Sequence, residues 1–396
     1  MPDPGVGVGT VVDTSARTSD APPAATRRPV LTAPGAVAAG GPDAGVAAHY
    51  GEPYAEQRAL AAGRAVVDLS HLGVVTVAGV DRLTWLDTLS SAWLRDLAPG
   101  VGAELLLLDP HGHVEHAAAV VDDGATTWLV TEADDAAPLA AFLDSMRFTL
   151  RVEVAVRDDV AVLGAVGDAA RKIASAAQER GALLGVWRDP WPAVVAGGTR
   201  YSAESHPGEA FAGAYVLVPW ETANEVVDGA RQAGELRLAG AWAWEALRVE
   251  ARRPRFAREV DERSIPHELD WLRTAVHLDK GCYRGQETVA RVFNMGRPPR
   301  RLVLLHLDGS EDVLPEPGTE VLAEGRPVGT LTSVVRHHEL GPIGLAVVKR
   351  SLPLETELVV GGVAASQEEV VGTDGIAVGR PAPRESTLPP LRRRVI

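Results

Sequence analysis

Residues 277–301 read HLDKGCYRGQETVARVFNMGRPPRR, and no other stretch gathers as many chemically active side chains. Gly281 and Gly285 bracket Cys282, the sole cysteine of 396 residues. Glycine lacks a Cβ, so the backbone there can approach a ligand closely or take positive φ. Lys280 stands two residues before the thiol, and Gln286–Arg291 has the composition to open a helix. A neighbouring cation and a helix N-terminus both favour the thiolate, the nucleophilic and metal-binding form. The alternative is a small buried hydrophobe. One cysteine also falls short of the three or four ligands of a stable zinc or cluster site. No resident metal is expected, and any metal would be held briefly or with a partner's ligands.

Downstream of this run the texture changes. RLVLLHL, TEVLAEG, RPVGTLTSVV, GPIGLAVV and TELVVGG are short apolar runs parted by glycine turns, which predicts a small β-barrel over 300–382. Upstream, strands and helices mix. Strands are predicted at 73–79, 105–108, 114–121, 126–131 and 150–156. A helix should follow Asp81 as N-cap, with Leu83, Leu86 and Leu89 on one face, and another should open at Pro138 and run to 148. A second stretch offers strands at 160–166 and 214–218 and helices at 168–179, 222–232 and 241–252. The fold class is α+β: two interlocked lobes, 46–157 and 158–299, then the barrel. Residues 1–45 lack apolar periodicity and read as a disordered arm, and 383–396 as a flexible tail.

Two further clusters could carry chemistry. In WEALRVEARRPRFAREVDERSIPHELDWL, residues 244–272, Glu245, Arg248 and Glu250 recur near helical spacing, and Arg252, Arg253, Arg255 and Arg258 form a basic patch. Arginine forks onto carboxylates and stacks on flat rings; the plainer reading is a solvated face with ion pairs four residues apart. His111, His113, Glu115 and His116 suggest zinc only superficially. Strand alternation sends His113 and Glu115 to one face and His116 to the other.

Net charge is −14, which argues against direct nucleic-acid or anionic-membrane binding. No apolar run is long enough to span a bilayer, no secretory signal is evident, and one cysteine cannot make an internal disulfide. The expected location is cytoplasmic.

The run Lys280-Gly281-Cys282-Tyr283-Arg284-Gly285-Gln286-Glu287, with Val289-Ala290-Arg291, resembles the signature of the YgfZ family of folate-binding proteins, which are similar in fold to aminomethyltransferase, the glycine-cleavage T-protein. Asp68-Leu69-Ser70-His71, the Leu247-Arg248-Val249-Glu250 helix, Ile265-Pro266-His267-Glu268 and the VGTLTS…GPIGLAVVK barrel segments match in order. The resemblance implies an aminomethyltransferase-like body with tetrahydrofolate in a cavity between the lobes. It also implies support of iron–sulphur client or assembly proteins, including tRNA-modifying ones, through Cys282. Lys280 would stabilise the thiolate at the mouth of that cavity. Glu115, Tyr201, Arg248, Glu250, Tyr283, Gln286, Glu287 and Arg291 would contact the folate. The aspartate pair of true aminomethyltransferases is replaced by Glu115-His116, and Arg200-Tyr201-Ser202-Ala203-Glu204 only loosely matches the pterin-binding element. These departures favour an accessory factor over a folate-dependent aminomethyl or methyl transferase or demethylase. A third reading is an interaction module with an empty cavity.

Overall fold

The computed structural model describes residues 33–202, 206–234, 236–310 and 312–381. Two five-stranded sheets lie face to face, each backed by helices, and a closed six-stranded barrel follows. The first sheet runs in the order Gly102–Leu108, Val114–Asp122, Thr126–Thr131, Gly73–Ala78, Glu153–Arg157. Alternation along its strands does the layering. Val75, Val77, Leu105, Leu107 and Leu129 pack outward with Leu86, Leu139 and Leu143 of two helices, whereas Val74, Val121 and Val130 face the second sheet.

That second sheet runs Gly185–Arg188, Gly213–Pro219, Val160–Val166, Ala65–Asp68, Arg237–Ala239, with only its last pair parallel. Helices Asp168–Glu179 and Ala223–Gly234 cover its outer face through Ile173, Ala177, Val226 and Val227. The barrel docks its strand Arg326–His337 on helix Ala241–Glu250: Ser333 Oγ accepts from Arg248 at 2.7 Å and donates to Glu259 at 2.6 Å. A side chain at Gly344 would meet the Ser333 carbonyl at 2.5 Å, so glycine is what lets these strands close. No described helix is long and apolar enough to cross a membrane.

Several expectations need correction. Residues 33–45 are not a loose arm: Val37–Ala38 pairs with Ala47–His49, and Asp43 is buried. Residues 1–32 and the tail from 382 lie outside the described residues. The lobes do not divide at 157/158 alone, because Ala65–Asp68, inside the expected first lobe, is a strand of the second sheet. The helix expected at Pro138 starts at Ala133 and takes the proline inside. Asp134 and Asp135 favour that earlier start, and so near the N-terminus Pro138 forfeits one backbone bond. Asp81 caps nothing with its side chain and instead holds Arg151 at 2.8–3.0 Å.

Candidate functional site: a cavity between the two sheets

Where the sheets face each other they leave a cavity of about 760 Å³, its mouth included. Its aromatic wall comes from cross-strand neighbours. Trp187 and Tyr215 pair across two strands and stack with centroids 4.7 Å apart. Trp244 leans on Tyr215 at 5.6 Å from helix Ala241–Glu250, and Trp271 closes the far side.

The polar wall follows from how that helix ends. Arg252 takes a left-handed φ of 55°, its N–H reaches the Val249 carbonyl, and the Arg253 N–H reaches that of Arg248. This is a Schellman ending, paid for with a non-glycine residue at the position that prefers glycine. Pro254 follows and has no N–H to extend the helix. The chain folds back and brings Arg253 and Arg255 beside Arg248.

Every carboxylate on the cavity wall is engaged by one of these arginines. Arg248 forks onto Glu245 at 3.0 and 2.8 Å and reaches Glu259 at 3.1 Å. Arg253 holds Glu104 at 2.7 Å and Asp189 at 3.0 Å. Arg255 forks onto Glu132 at 2.8 and 2.9 Å, meets Asp43 at 2.6 Å and lies 3.2 Å from Glu245. Burial pushes the Asp189 carboxyl up, with Arg253 opposing and Glu104 adding to the rise. Burial pushes Asp43 up as well, but its His71 hydrogen bond and the Arg255 charge outweigh this and hold it well below the usual carboxylate range. A flat aromatic ring fits the stacking wall. The carboxylates can accept from its donors only by sharing themselves with arginine.

Of the eight residues expected to contact folate, Arg248 alone lines the cavity. Glu115 is the extra residue of a bulge: Leu107 pairs with His116 and Leu108 with Val114. The bulge turns Glu115 into a half-exposed ion pair with Arg284 at 2.6 Å. Glu250 points from the opposite helix face toward His337 of the barrel, 3.3 Å away. Tyr201 is buried against His267, and its N–H reaches Asp270 at 2.5 Å. Tyr283 is buried under the Lys280 ammonium, 5.5 Å from its ring. Gln286 donates to the Lys280 carbonyl at 3.2 Å, while Glu287 and Arg291 are exposed on helix Gln286–Asn294.

Cys282 is exposed and is not part of the cavity wall, so the thiol does not stand at its mouth. Lys280 does not serve it in the way expected. Its ammonium, with a side chain 1% exposed, turns inward onto the carbonyls of Asp87 at 2.5 Å, Ser90 at 2.9 Å and Ala92, and onto the Asp87 carboxylate at 3.4 Å. Those carbonyls end helix Arg82–Leu89, where acceptors lack partners and a cation is favoured. Lys280 therefore pins the cysteine loop to the first lobe.

Asp43, Glu104, Trp187, Asp189 and Tyr215 escaped sequence reading because each comes from a different element. Arg253 and Arg255 were visible as a basic patch, and His71 as part of a motif.

A fold of facing sheets with a cavity between them, followed by a barrel, defines a class. Residues 47–280 match the GCVT N-terminal domain and residues 300–371 the glycine cleavage T-protein C-terminal barrel domain, so the chain belongs to the glycine-cleavage T-protein family. Within it, the chain is 28% identical to an aminomethyltransferase of Rippkaea orientalis over 332 residues, 76% of this chain and 84% of that one. It is 32% identical to the tRNA-modifying protein YgfZ of Klebsiella pneumoniae over 191 residues, 47% of this chain and 55% of that one. A chloroplastic relative in Arabidopsis thaliana is 28% identical over 299 residues, and the chain spans 66% of its length. The aminomethyltransferase T structure from Bartonella henselae superposes with a TM-score of 0.68 at 17% identity, covering 86% of this chain and 94% of that one. That likeness speaks to the fold.

Proposed function

We propose that this protein binds tetrahydrofolate or a derivative in the cavity between its sheets and supports iron–sulphur client proteins, tRNA-modifying enzymes among them, through the exposed Cys282. The observation that carries the reading is the cavity wall, with Trp187, Tyr215 and Trp244 on one side and paired arginines and carboxylates on the other. A reduced pterin is a flat, donor-rich ring, which suits stacking aromatics with carboxylate acceptors nearby.

Binding without transfer is the better-supported role. Aminomethyl transfer would need a carboxylate at the folate nitrogen. Glu115 lies outside the cavity, and each of the five carboxylates lining it, Asp43, Glu104, Glu132, Asp189 and Glu245, has an arginine partner. In this reading the folate and the thiol act at separate places on one body.

Calorimetric titration of the full chain with tetrahydrofolate tests the first half, with Tyr215→Ala expected to weaken binding at least tenfold. Ligand at about 100 times its dissociation constant adds ~2.7 kcal/mol of stability. A melting curve that does not move at that concentration would sink the folate reading. For the second half, Cys282→Ser should fold as the wild type does and fail to support cluster enzymes in cells. Full complementation by it would remove the thiol from the mechanism.

A further inference from the structure

One cavity residue comes from a segment whose sequence shows no pattern of its own. Asp43 ends the three-residue 3-10 turn Gly41–Asp43 and is 5% exposed. Its carboxylate faces three nitrogen-bearing side chains: Arg255 Nη1 at 2.6 Å, His71 Nε2 at 3.3 Å and Arg258 Nη2 at 3.6 Å. The first is the shortest, the His71 contact is a long hydrogen bond, and the third is too long for one. Both of the other partners also carry an unpaired nitrogen away from Asp43: His71 Nδ1 and Arg258 Nε are buried without a hydrogen bond. Buried polar nitrogens seldom go unpaired, because an unmade bond costs the full desolvation of the group.

The charges make the same point. Around Arg248, Arg255 and Arg258 stand Glu132, Glu245, Glu259 and Asp43. Four carboxylates face three guanidiniums, with His71 beside Asp43. An outside carboxylate that took the place of Asp43 would leave that charge count unchanged.

The turn that carries Asp43 is lightly held. Its backbone bonds are Asp43 N–H to the Gly40 carbonyl at 3.3 Å and Ala44 N–H to that of Gly41 at 3.1 Å. Gly41 has a φ of +62°, and an added Cβ at either Gly40 or Gly41 would meet nothing within 4 Å, so this side of the turn faces open space. Just outside it is a surface pocket lined by Pro42, Glu132, Ala133, Asp134, Asp135, Phe256 and Ala257, and Glu132 and Phe256 line the cavity too. Lifting the turn would join the two.

We propose that Arg255 and His71 on the cavity wall, with Arg258 outside the lining, form a carboxylate subsite, that Asp43 occupies it as the chain's own substitute, and that a carboxylate-bearing ligand binds by displacing Asp43. The inference deepens the reduced-folate reading and rests on it, because that ligand ends in a glutamate. The displaced turn would swing outward on Gly40 and Gly41.

The test titrates the full-length wild type, Asp43→Ala and the near-isosteric Asp43→Asn with three probes: tetrahydrofolate, 6-methyltetrahydropterin, which lacks the tail, and p-aminobenzoylglutamate, which lacks the pterin. Both variants should bind the two tail-bearing probes at least tenfold more tightly than the wild type, and 6-methyltetrahydropterin within threefold of it. Unchanged or weaker binding of the tail-bearing probes, or an equal gain for the tail-less pterin, overturns the proposal. If neither pterin binds any form and p-aminobenzoylglutamate still gains tenfold, the folate reading falls and the subsite stands. A measurement on the wild type decides the matter should the variants misfold. Saturation with tetrahydrofolate, or with p-aminobenzoylglutamate if the folate does not bind, should speed hydrogen exchange in a peptide covering residues 38–46. Unchanged or slowed exchange there would mean Asp43 is not displaced.

Discussion

Replacing Lys280 with methionine separates two roles for that residue. The structure gives it a structural one. Its ammonium bonds to the carbonyls of Asp87, Ser90 and Ala92 and to the Asp87 carboxylate, which is itself fully buried and also held by Arg95 at 2.6 Å. Bonds to a charged group contribute roughly 1.5–3 kcal/mol each, and breaking a buried pair costs about 3–5 kcal/mol. Burial works against the ammonium and pushes its pKa down to about 8, with Asp87 pulling it back up. That dehydration outweighs the pull of Asp87, which Arg95 keeps partnered, so the loss on substitution comes from the buried carbonyls left without a donor. The expected loss is about 3 kcal/mol, at the lower end of the range for a broken buried pair. A urea transition at pH 7 measures it. The pH dependence gives an independent sign. Between about 8 and 10.5 the unfolded chain holds the lysine proton and the folded chain has released it, so wild-type stability rises with pH across that window. The Lys280→Met variant lacks that rise. The pH midpoint of Cys282 alkylation should be the same in both proteins. A variant as stable as the wild type, with a thiol midpoint moved upward, would return Lys280 to the role of thiolate partner and refute the structural assignment.

Three other outcomes follow from the same geometry. Arg248→Met leaves Glu259 without a guanidinium and Glu245 with Arg255 alone at 3.2 Å, so it should cost roughly 3 kcal/mol in a denaturation series, and a binding defect in it would report on folding. Glu115→Gln breaks an ion pair with both side chains over a third exposed, so stability should change by less than ~1 kcal/mol and tetrahydrofolate titrations should overlay the wild type. Burial pushes His267 down to about 4, with its bond to the Val289 carbonyl opposing, and pushes His206 down to about 3. The unfolded chain takes up these protons near pH 6.5, before the folded one does. Stability should therefore fall as pH drops from 6.5 through 4, by roughly 3 kcal/mol for His267 at 1.4 kcal/mol per unit. Urea midpoints for wild type and His267→Gln across that range would show the slope, which the variant should flatten.

The sequence was readable wherever structure is local. Strands Thr126–Thr131 and Val160–Val166 and helix Asp168–Glu179 fall at their expected bounds, because period and punctuation agree there. The barrel was legible for the same reason, as short runs between glycines. Glu250 could have been placed correctly. At about 100° per residue, Glu245 and Arg248 lie within 60° of each other and Glu250 lies about 200° further round, away from the cavity. Glu115 could not, because a bulge is a property of two strands in register and leaves no mark on either one alone. Asp43 is the extreme case. A proline- and glycine-rich segment predicts no order, and the arginine that donates to Asp43 is more than 200 residues away.

The basic run 252–258 shows how a correct observation can carry a different meaning. Read alone, four arginines in seven residues offer free donors to an anionic ligand. In the fold, Arg253 and Arg255 are spent on the carboxylates of the cavity wall, and Arg252 reaches Glu368 of the barrel. A buried network of this kind contributes little net stability, since attraction is offset by dehydration, yet it resists any single unpaired insertion. A ligand carboxylate cannot simply be added to such a wall; it has to exchange with one already present. The cheapest exchange is with the carboxylate carried on the least anchored backbone. Glu132 leads into a helix, Glu245 lies within one, Glu104 lies within a strand, Asp189 directly follows one with its N–H bonded to the Gly213 carbonyl, and Asp43 rides a single glycine-flanked turn.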